Sequence, residues 1–390
     1  MERVESSSQI EVRSRTAPYA SIRVGAHRVD LLRDGGQTYA AMLAAIRAAQ
    51  STILLETYIL RDDGTGTRFA EALCERARAG VEVNLLYDAW GSDLGEDFLA
   101  TLHDAGVRTL AYHPLRFTGR IASFVAKVWR RDHRKILVVD SRVGFTGGTN
   151  IADDYAAEED GGQGWRDTHV RIEGPAVAEL QYRFLVAWRR HKGAPVDERR
   201  YRGGGRRPEP RIRVVSSSAP GQRRAISAAY RKAIGQAKQR VCITNAYFLP
   251  TLRVLQALRH AAKRGVDVRV IVAGTTDVPA VRFASRAMYD AFLHAGVRIF
   301  EWKGRVLHAK TATVDGWWST VGSSNLDTLS LRVNLEANVV IEDRAFAGAM
   351  ERMFDEDLAH CEEITLEKWH ARPLWERVLG AFALLFRRWL

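Results

Sequence analysis

Two stretches of this chain carry the same reactive residues at the same spacing. The first is His133, Lys135, Asp140 and Gly147-Gly148-Thr149-Asn150; the second is His308, Lys310, Asp315 and Gly322-Ser323-Ser324-Asn325. Both read His-x-Lys-x4-Asp-x6-Gly-(Gly/Ser)-x-Asn. Histidine near neutral pH can act as a nucleophile or as a general acid and base. Lysine is a point charge suited to phosphate oxygens. On a strand, residues two apart face the same side, so His133 and Lys135 are expected to point together. The glycines let backbone amides and Asn150 or Asn325 approach a ligand closely. Two copies facing each other would gather two histidines, two lysines and two asparagines around one site. One histidine could then attack phosphorus while the other protonates the leaving oxygen. The lysines and asparagines would stabilise the equatorial oxygens, which suits in-line displacement at a phosphodiester. Lysine is a poor ligand for catalytic divalent cations, and no HExxH-like carboxylates flank the histidines, so no metal or cofactor is expected.

These residues need elements to hold them. In the first half, apolar and β-branched runs predict strands at 20–32, 53–60, 81–87 and 107–112, with helices at 36–49, 69–79 and 98–104. Gly80 and Gly106 fall where helix C-terminal caps belong. The second half repeats the order: 241–250 answers 53–60, the helix 252–263 precedes Gly265, and 266–272 answers 81–87. Phe292-Leu293-His294-Ala295-Gly296-Val297 matches Leu102-His103-Asp104-Ala105-Gly106-Val107. The whole unit is therefore duplicated, not only the motif. Alternating strands and helices predict an α/β fold of two pseudo-symmetric halves, each a mixed sheet flanked by helices, with the site at their interface. The expected boundaries are a disordered tail at 1–17, halves at 18–191 and 214–366, a basic Gly- and Arg-rich linker at 192–213, and an amphipathic helix at 367–390.

The duplicated motif resembles the HKD motif of the phospholipase D superfamily. Within it, the chain is similar to bacterial cardiolipin synthases of the type without N-terminal transmembrane helices. The residues behind this are His133-Arg134-Lys135-Ile136, Phe145-Thr146-Gly147-Gly148-Thr149-Asn150-Ile151 and Trp165-Arg166-Asp167-Thr168-His169-Val170-Arg171-Ile172-Glu173-Gly174-Pro175. In the second half they are Thr244-Asn245-Ala246-Tyr247-Phe248, Leu307-His308-Ala309-Lys310, Val321-Gly322-Ser323-Ser324-Asn325-Leu326-Asp327 and Asn334-Leu335-Glu336-Ala337-Asn338. The resemblance spans about residues 20–365. It implies a covalent phosphohistidine at His133, with His308 serving the leaving and entering alcohols. It implies a carboxylate partner for each histidine, Asp167 for His133 and Glu336 for His308. It also implies that Asp140 and Asp315, grouped above with the reactive residues, brace the site. Where the second copy has Ser323 the first has Gly148, so one hydroxyl is expected to be missing beside His133. The implied reaction is transfer of a phosphatidyl group from phosphatidylglycerol to a second phosphatidylglycerol, with release of glycerol. The alternatives are hydrolysis, as a phospholipase D, or cleavage of other phosphodiesters, as a nuclease of the superfamily.

The halves also differ. About fifteen more residues separate Gly106 from His133 than separate Gly296 from His308. This insertion, at about 115–131, mixes Phe117, Phe124 and Trp129 with arginines such as Arg130. The C-terminal segment likewise sets Trp375, Phe382 and Trp389 among arginines. Both have the composition of interfacial segments, with apolar groups for acyl chains and cations for phosphates. The chain of 390 residues has a net charge of +12 and a pI near 9.8. That surplus favours an anionic partner, and the apolar segments favour anionic phospholipid and a membrane surface over nucleic acid. Three scattered cysteines give no disulfide framework. The first 17 residues lack the apolar core of a signal peptide, and no run approaches the length of a membrane span. A peripheral protein at the cytoplasmic face of the cell membrane is expected.

Overall fold

A computed structural model describes residues 15–114, 130–201, 211–217, 222–276, 278–373 and 376. Residues 1–14 of the expected tail at 1–17, most of the insertion with Phe117, Phe124 and Trp129, the core of the linker at 202–210, and Trp375, Phe382 and Trp389 lie outside these residues.

The first half builds an eight-stranded sheet from β1 (Ala20–Val24), β2 (His27–Arg33), β3 (Thr52–Thr57), β4 (Glu82–Asp88), β5 (Arg108–Tyr112), β6 (Ile136–Val139), β7 (Val143–Gly147) and β8 (Thr168–Glu173). Their spatial order is β1-β2-β8-β7-β6-β3-β4-β5. The second half uses β9 (Ile212–Ser216), β10 (Arg240–Asn245), β11 (Asp267–Ala273), β12 (Arg298–Trp302), β13 (Lys310–Val314), β14 (Trp318–Gly322), β15 (Ala337–Glu342) and β16 (Cys361–Ile364). Their order is β16-β12-β11-β10-β13-β14-β15-β9. Seven strands correspond one to one; β1 is added at one edge of the first sheet and β16 at the opposite edge of the second. Ile212 of β9 already lies within the stretch expected to be linker, because it pairs with Ile341 and completes the second sheet.

Parallel pairs β3–β4 and β10–β11 need crossover helices, and Gly64–Arg78 and Leu252–Lys263 supply them. The central strands are buried along their length, so they read as continuous apolar runs. The two sheets share one core. Val170 and Ile172 of β8 pack with Val339 and Ile341 of β15, together with Phe184, Trp188, Phe346 and Met350. Burying large side chains of both halves in one cluster makes them a single rigid frame, as a site built across their seam requires.

The turns after β6 and β13 explain the motif aspartates. Asp140 and Asp315 hold left-handed backbone, with φ of 51° and 52°. Asp140 accepts from the amides of Gln50, Ser51 and Thr52 at 2.7–2.8 Å. Asp315 accepts from Lys238, Gln239 and Arg240 at 2.8–2.9 Å. Each carboxylate ties the start of the central strand to the far end of the strand that follows its histidine. Six extended residues lie between His133 and Asp140, which sets them apart by on the order of 20 Å. The aspartates are anchors of the sheet and take no part in the reactive cluster.

Candidate active site

The histidines do not sit within the strands. They lie in extended lead-ins that cross from one half to the other. The segment before β6 forms a parallel bridge with the second half: the His133 amide donates to Leu335 O and the Leu335 amide donates to Arg131 O, both at 2.9 Å. The segment before β13 does the same in reverse. The Arg166 amide donates to Val306 O at 2.9 Å, and the His308 amide donates to Arg166 O at 2.8 Å. Each histidine is thereby set beside the residue that follows the bridge in the other half.

That geometry corrects the expected pairing. Glu336, not Asp167, meets His133: the His133 Nδ1 lies 3.1 Å from Glu336 Oε2 and 3.1 Å from Ser323 O. Asp167, not Glu336, meets His308, with Nδ1 to Oδ2 at 2.7 Å. A carboxylate facing Nδ1 places the ring proton there and leaves Nε2 as the free lone pair. No described residue bonds either Nε2.

The hydroxyl asymmetry moves with the partners. Ser323 Oγ donates to Glu336 Oε2 and accepts from the Ala337 amide, so it sits with the carboxylate beside His133. A Cβ on the matching Gly148 would meet Asp167 Oδ1 at 2.1 Å. The missing hydroxyl is therefore beside His308, where the Asp167 carboxylate fills its space. The pairs Gly148–Asp167 and Ser323–Glu336 are two solutions to one packing problem.

Buried ion pairs fix the lead-ins. Arg134, 1% exposed, binds Asp132 at 2.5 Å and Glu56 at 2.5 Å. Arg131 chelates Asp88, which also accepts from the Asp132 amide at 2.9 Å. Arg166 grips Asp357 at 2.6 Å and reaches Thr168 Oγ1 at 3.0 Å. Guanidinium forks hold carboxylates in two directions at once, so these pairs set orientation as well as position.

Lys135 Nζ donates to His133 O at 2.8 Å, and Lys310 Nζ donates to His308 O. Both lysines are buried, at 3% and 0% exposure. Burial pulls Lys135 down to about 7, with Glu336 opposing and Lys310 adding to the shift. Burial drives His133 well below its ordinary range, helped by Lys135 and Lys310. His308 falls to about 4 by burial and Lys310, against the pull of Asp167. Burial alone would raise Asp167, but His308 and Lys310 hold it below its usual value. Glu336 goes the other way, pushed up to about 8 by burial despite Lys135. The two histidines are neutral, and their partners differ: Asp167 is ionised, while Glu336 readily holds a proton.

Asn150 and Asn325 are also unequal. Asn150 Nδ2 donates to Tyr155 OH at 2.7 Å, and its Oδ1 accepts from the Ile59 amide at 3.1 Å. Its amide is thus spent on holding Tyr155, whose ring meets His308 edge-on at 5.2 Å. Asn325 keeps a buried Oδ1 without a partner among the described residues. Two aromatic contacts were not foreseen from the sequence. Tyr155 is one; the other is Tyr58, edge-on to His133 at 4.8 Å and 5.2 Å from Lys135 Nζ. Tyr58 follows directly on β3, the strand paired with β6, and that adjacency was a usable signal. Buried Thr149 Oγ1 and Asn245 Nδ2 have no partner among the described residues. Asn245 pairs in register with Lys310, so this free donor lies beside the lysine.

Of the expected lipid-contact residues only Arg130 is described; its carbonyl lies 3.2 Å from His113 Nδ1. Among the described residues, Asp290, His294 and His370 are grouped at metal-ligand spacing. They are exposed and are none of the reactive residues.

The fold and the crossed histidine pairs define a two-motif phospholipase D-type enzyme. The family pattern described as "Cardiolipin synthase, PLD-like domain" matches residues 42–184 and 230–358. Cardiolipin synthase B of Escherichia coli (strain K12) is 37% identical over 374 residues, covering 93% of this chain and 88% of that one. Cardiolipin synthase of Clostridium perfringens is 33% identical, covering 90% and 74%. The chain belongs to the cardiolipin synthase family of phospholipase D-like proteins. The crystal structure of phosphatidylserine synthase from Haemophilus influenzae Rd KW20 superposes with a TM-score of 0.72 at 14% identity, covering 98% and 97% of the two chains, and so shares the fold.

Proposed function

We propose that the chain is a phosphatidyltransferase that makes cardiolipin from two molecules of phosphatidylglycerol. The observation that carries this reading is the crossed pair of Nδ1 locks, at 3.1 Å to Glu336 and 2.7 Å to Asp167, in a chain with the cited relatives. Each lock leaves an Nε2 for the seam, as double displacement requires.

In the first step His133 Nε2 attacks phosphorus of the donor. The phosphorus–oxygen bond to glycerol breaks, and His308 gives its Nε2 proton to the departing oxygen. In the second step the acceptor hydroxyl attacks phosphorus and gives its proton to His308, and the bond to His133 breaks. The roles follow from the partners. An ionised Asp167 stabilises the imidazolium from which an acid donates and which a base becomes, and His308 has that partner. His308 is neutral before the donor binds, so its proton arrives with the donor, whose anionic phosphate favours the charged ring. Lys135, Lys310 and the unpartnered Asn245 donor beside Lys310 stabilise the equatorial oxygens.

The partner surface is anionic phospholipid, met peripherally on the cytoplasmic face. The +12 charge supports this, and among the described residues no helix is long and apolar enough to cross a membrane. Water in place of the acceptor would give a phospholipase D. The test is lipid product analysis with phosphatidylglycerol vesicles. Cardiolipin with equimolar glycerol is expected; phosphatidic acid alone, or cleavage of plasmid DNA without cardiolipin, would contradict the reading.

A further inference from the structure

Among the described residues two buried histidines are not used by this mechanism, His27 and His169, and only the second follows closely on a histidine partner of the site. His169, 1% exposed, lies on β8 two residues after Asp167 and so points to the same face. Its strand partner is Gly147 of the first motif. The β6–β7 register pairs Ile136 with Thr146, and one step further sets Lys135 opposite Gly147. Lys135, Gly147 and His169 therefore form one row across three strands. The middle member has no side chain, and the imidazole leans over it: a Cβ on Gly147 would meet His169 Nδ1 at 2.5 Å. The second half repeats the row as Lys310, Gly322 and Asn338, and a Cβ on Gly322 would meet Asn338 Cγ at 2.3 Å. A polar side chain thus occupies the place beside each lysine.

We infer that His169 is a positioning residue for Lys135, confining the ammonium to the seam where the two histidines meet the phosphate, with Asn338 its counterpart at Lys310. The inference rests on the proposed phosphodiester chemistry. A filler role does not explain the residue. His169 Nδ1 is buried without a hydrogen-bond partner among the described residues, which costs stability that an apolar side chain of similar size would not. Asn338, by comparison, accepts from the Ser324 amide at 3.2 Å and donates to Thr320 Oγ1 at 3.3 Å. Burial lowers His169 to about 4, with Asp167 opposing and Lys135 assisting. The ring is therefore neutral, adding polarity beside Lys135 without a second positive charge.

The experiment compares His169→Leu with His169→Asn, which borrows the residue of the other half. Turnover is measured on phosphatidylglycerol vesicles and on bis(p-nitrophenyl) phosphate, with thermal denaturation as the folding control. The leucine variant is expected to fold and to lose about tenfold or more in kcat, while asparagine stays within about threefold of wild type. A leucine variant as active as wild type overturns the inference and leaves the functional reading standing. Should leucine not fold, His169→Ala replaces it, and equal rates for alanine and asparagine overturn the inference. A wild-type protein inert on both donors overturns the functional reading and this inference with it.

Discussion

His308 Nδ1 and Asp167 Oδ2 lie 2.7 Å apart although they belong to different halves of the chain. The contact exists because the amide of His308 donates to the carbonyl of Arg166, the residue just before Asp167. Asp167→Asn keeps the shape and removes the charge that favours the imidazolium. Turnover of phosphatidylglycerol is expected to fall by about 10²–10⁴. With a p-nitrophenyl leaving group, which needs no acid, the loss should shrink markedly. Equal losses on both donors would show that Asp167 does not act through an acid.

Acid should destabilise the protein through the same histidine. His308 ionises at about 4 in the folded chain and at about 6.5 when unfolded, so the unfolded state binds more protons between these values. The stability is present above about 6.5 and is lost as the pH falls towards 4. Between about pH 7 and about pH 5 the loss from this group is about 2 kcal/mol. His308→Gln removes it. Urea unfolding of both proteins at the two pH values measures the difference, and parallel losses would contradict the assignment.

Gly148 has no room for the serine that its counterpart Ser323 provides, since its Cβ would stand 2.1 Å from Asp167 Oδ1. Gly148→Ser is expected to displace the carboxylate, reducing activity by about tenfold or more and stability by about 1–3 kcal/mol. The double variant Gly148→Ser/Asp167→Glu should recover part of both, because it recreates the Ser323–Glu336 pair. No recovery would mean that the two pairs are not interchangeable solutions.

Asp140→Asn and Asp315→Asn separate stability from chemistry. Each loses charge-assisted bonds to three backbone amides, with an expected cost of about 1–3 kcal/mol. The folded fraction should retain near wild-type kcat. A large fall in kcat with unchanged Tm would return these residues to the reacting groups.

The duplicated motif made the two halves and the succession of strands and helices along each readable from spacing alone, since local patterning determines which elements form; the order of the strands across each sheet was not readable. The partner of each histidine was not readable. The family resemblance implied for each histidine the carboxylate downstream of it, Asp167 for His133; the inter-half bridges at Leu335 and Arg166 reverse it. Contacts that arise only when two folded units dock leave no periodic trace. Tyr155 escaped notice for the same reason, because its ring serves the histidine of the other half.

The central claim is that crossed partners make His133 the nucleophile and His308 the acid and base. It is tested most directly by trapping the intermediate in the His308→Ala variant with a phosphodiester bearing a p-nitrophenyl leaving group and a labelled phosphorus. Without His308 to activate an acceptor, label should accumulate on His133, identified by peptide mapping at alkaline pH, and the His133→Ala variant should stay unlabelled. Label on His308 in the His133→Ala variant, with none on His133 in the other, would contradict the account.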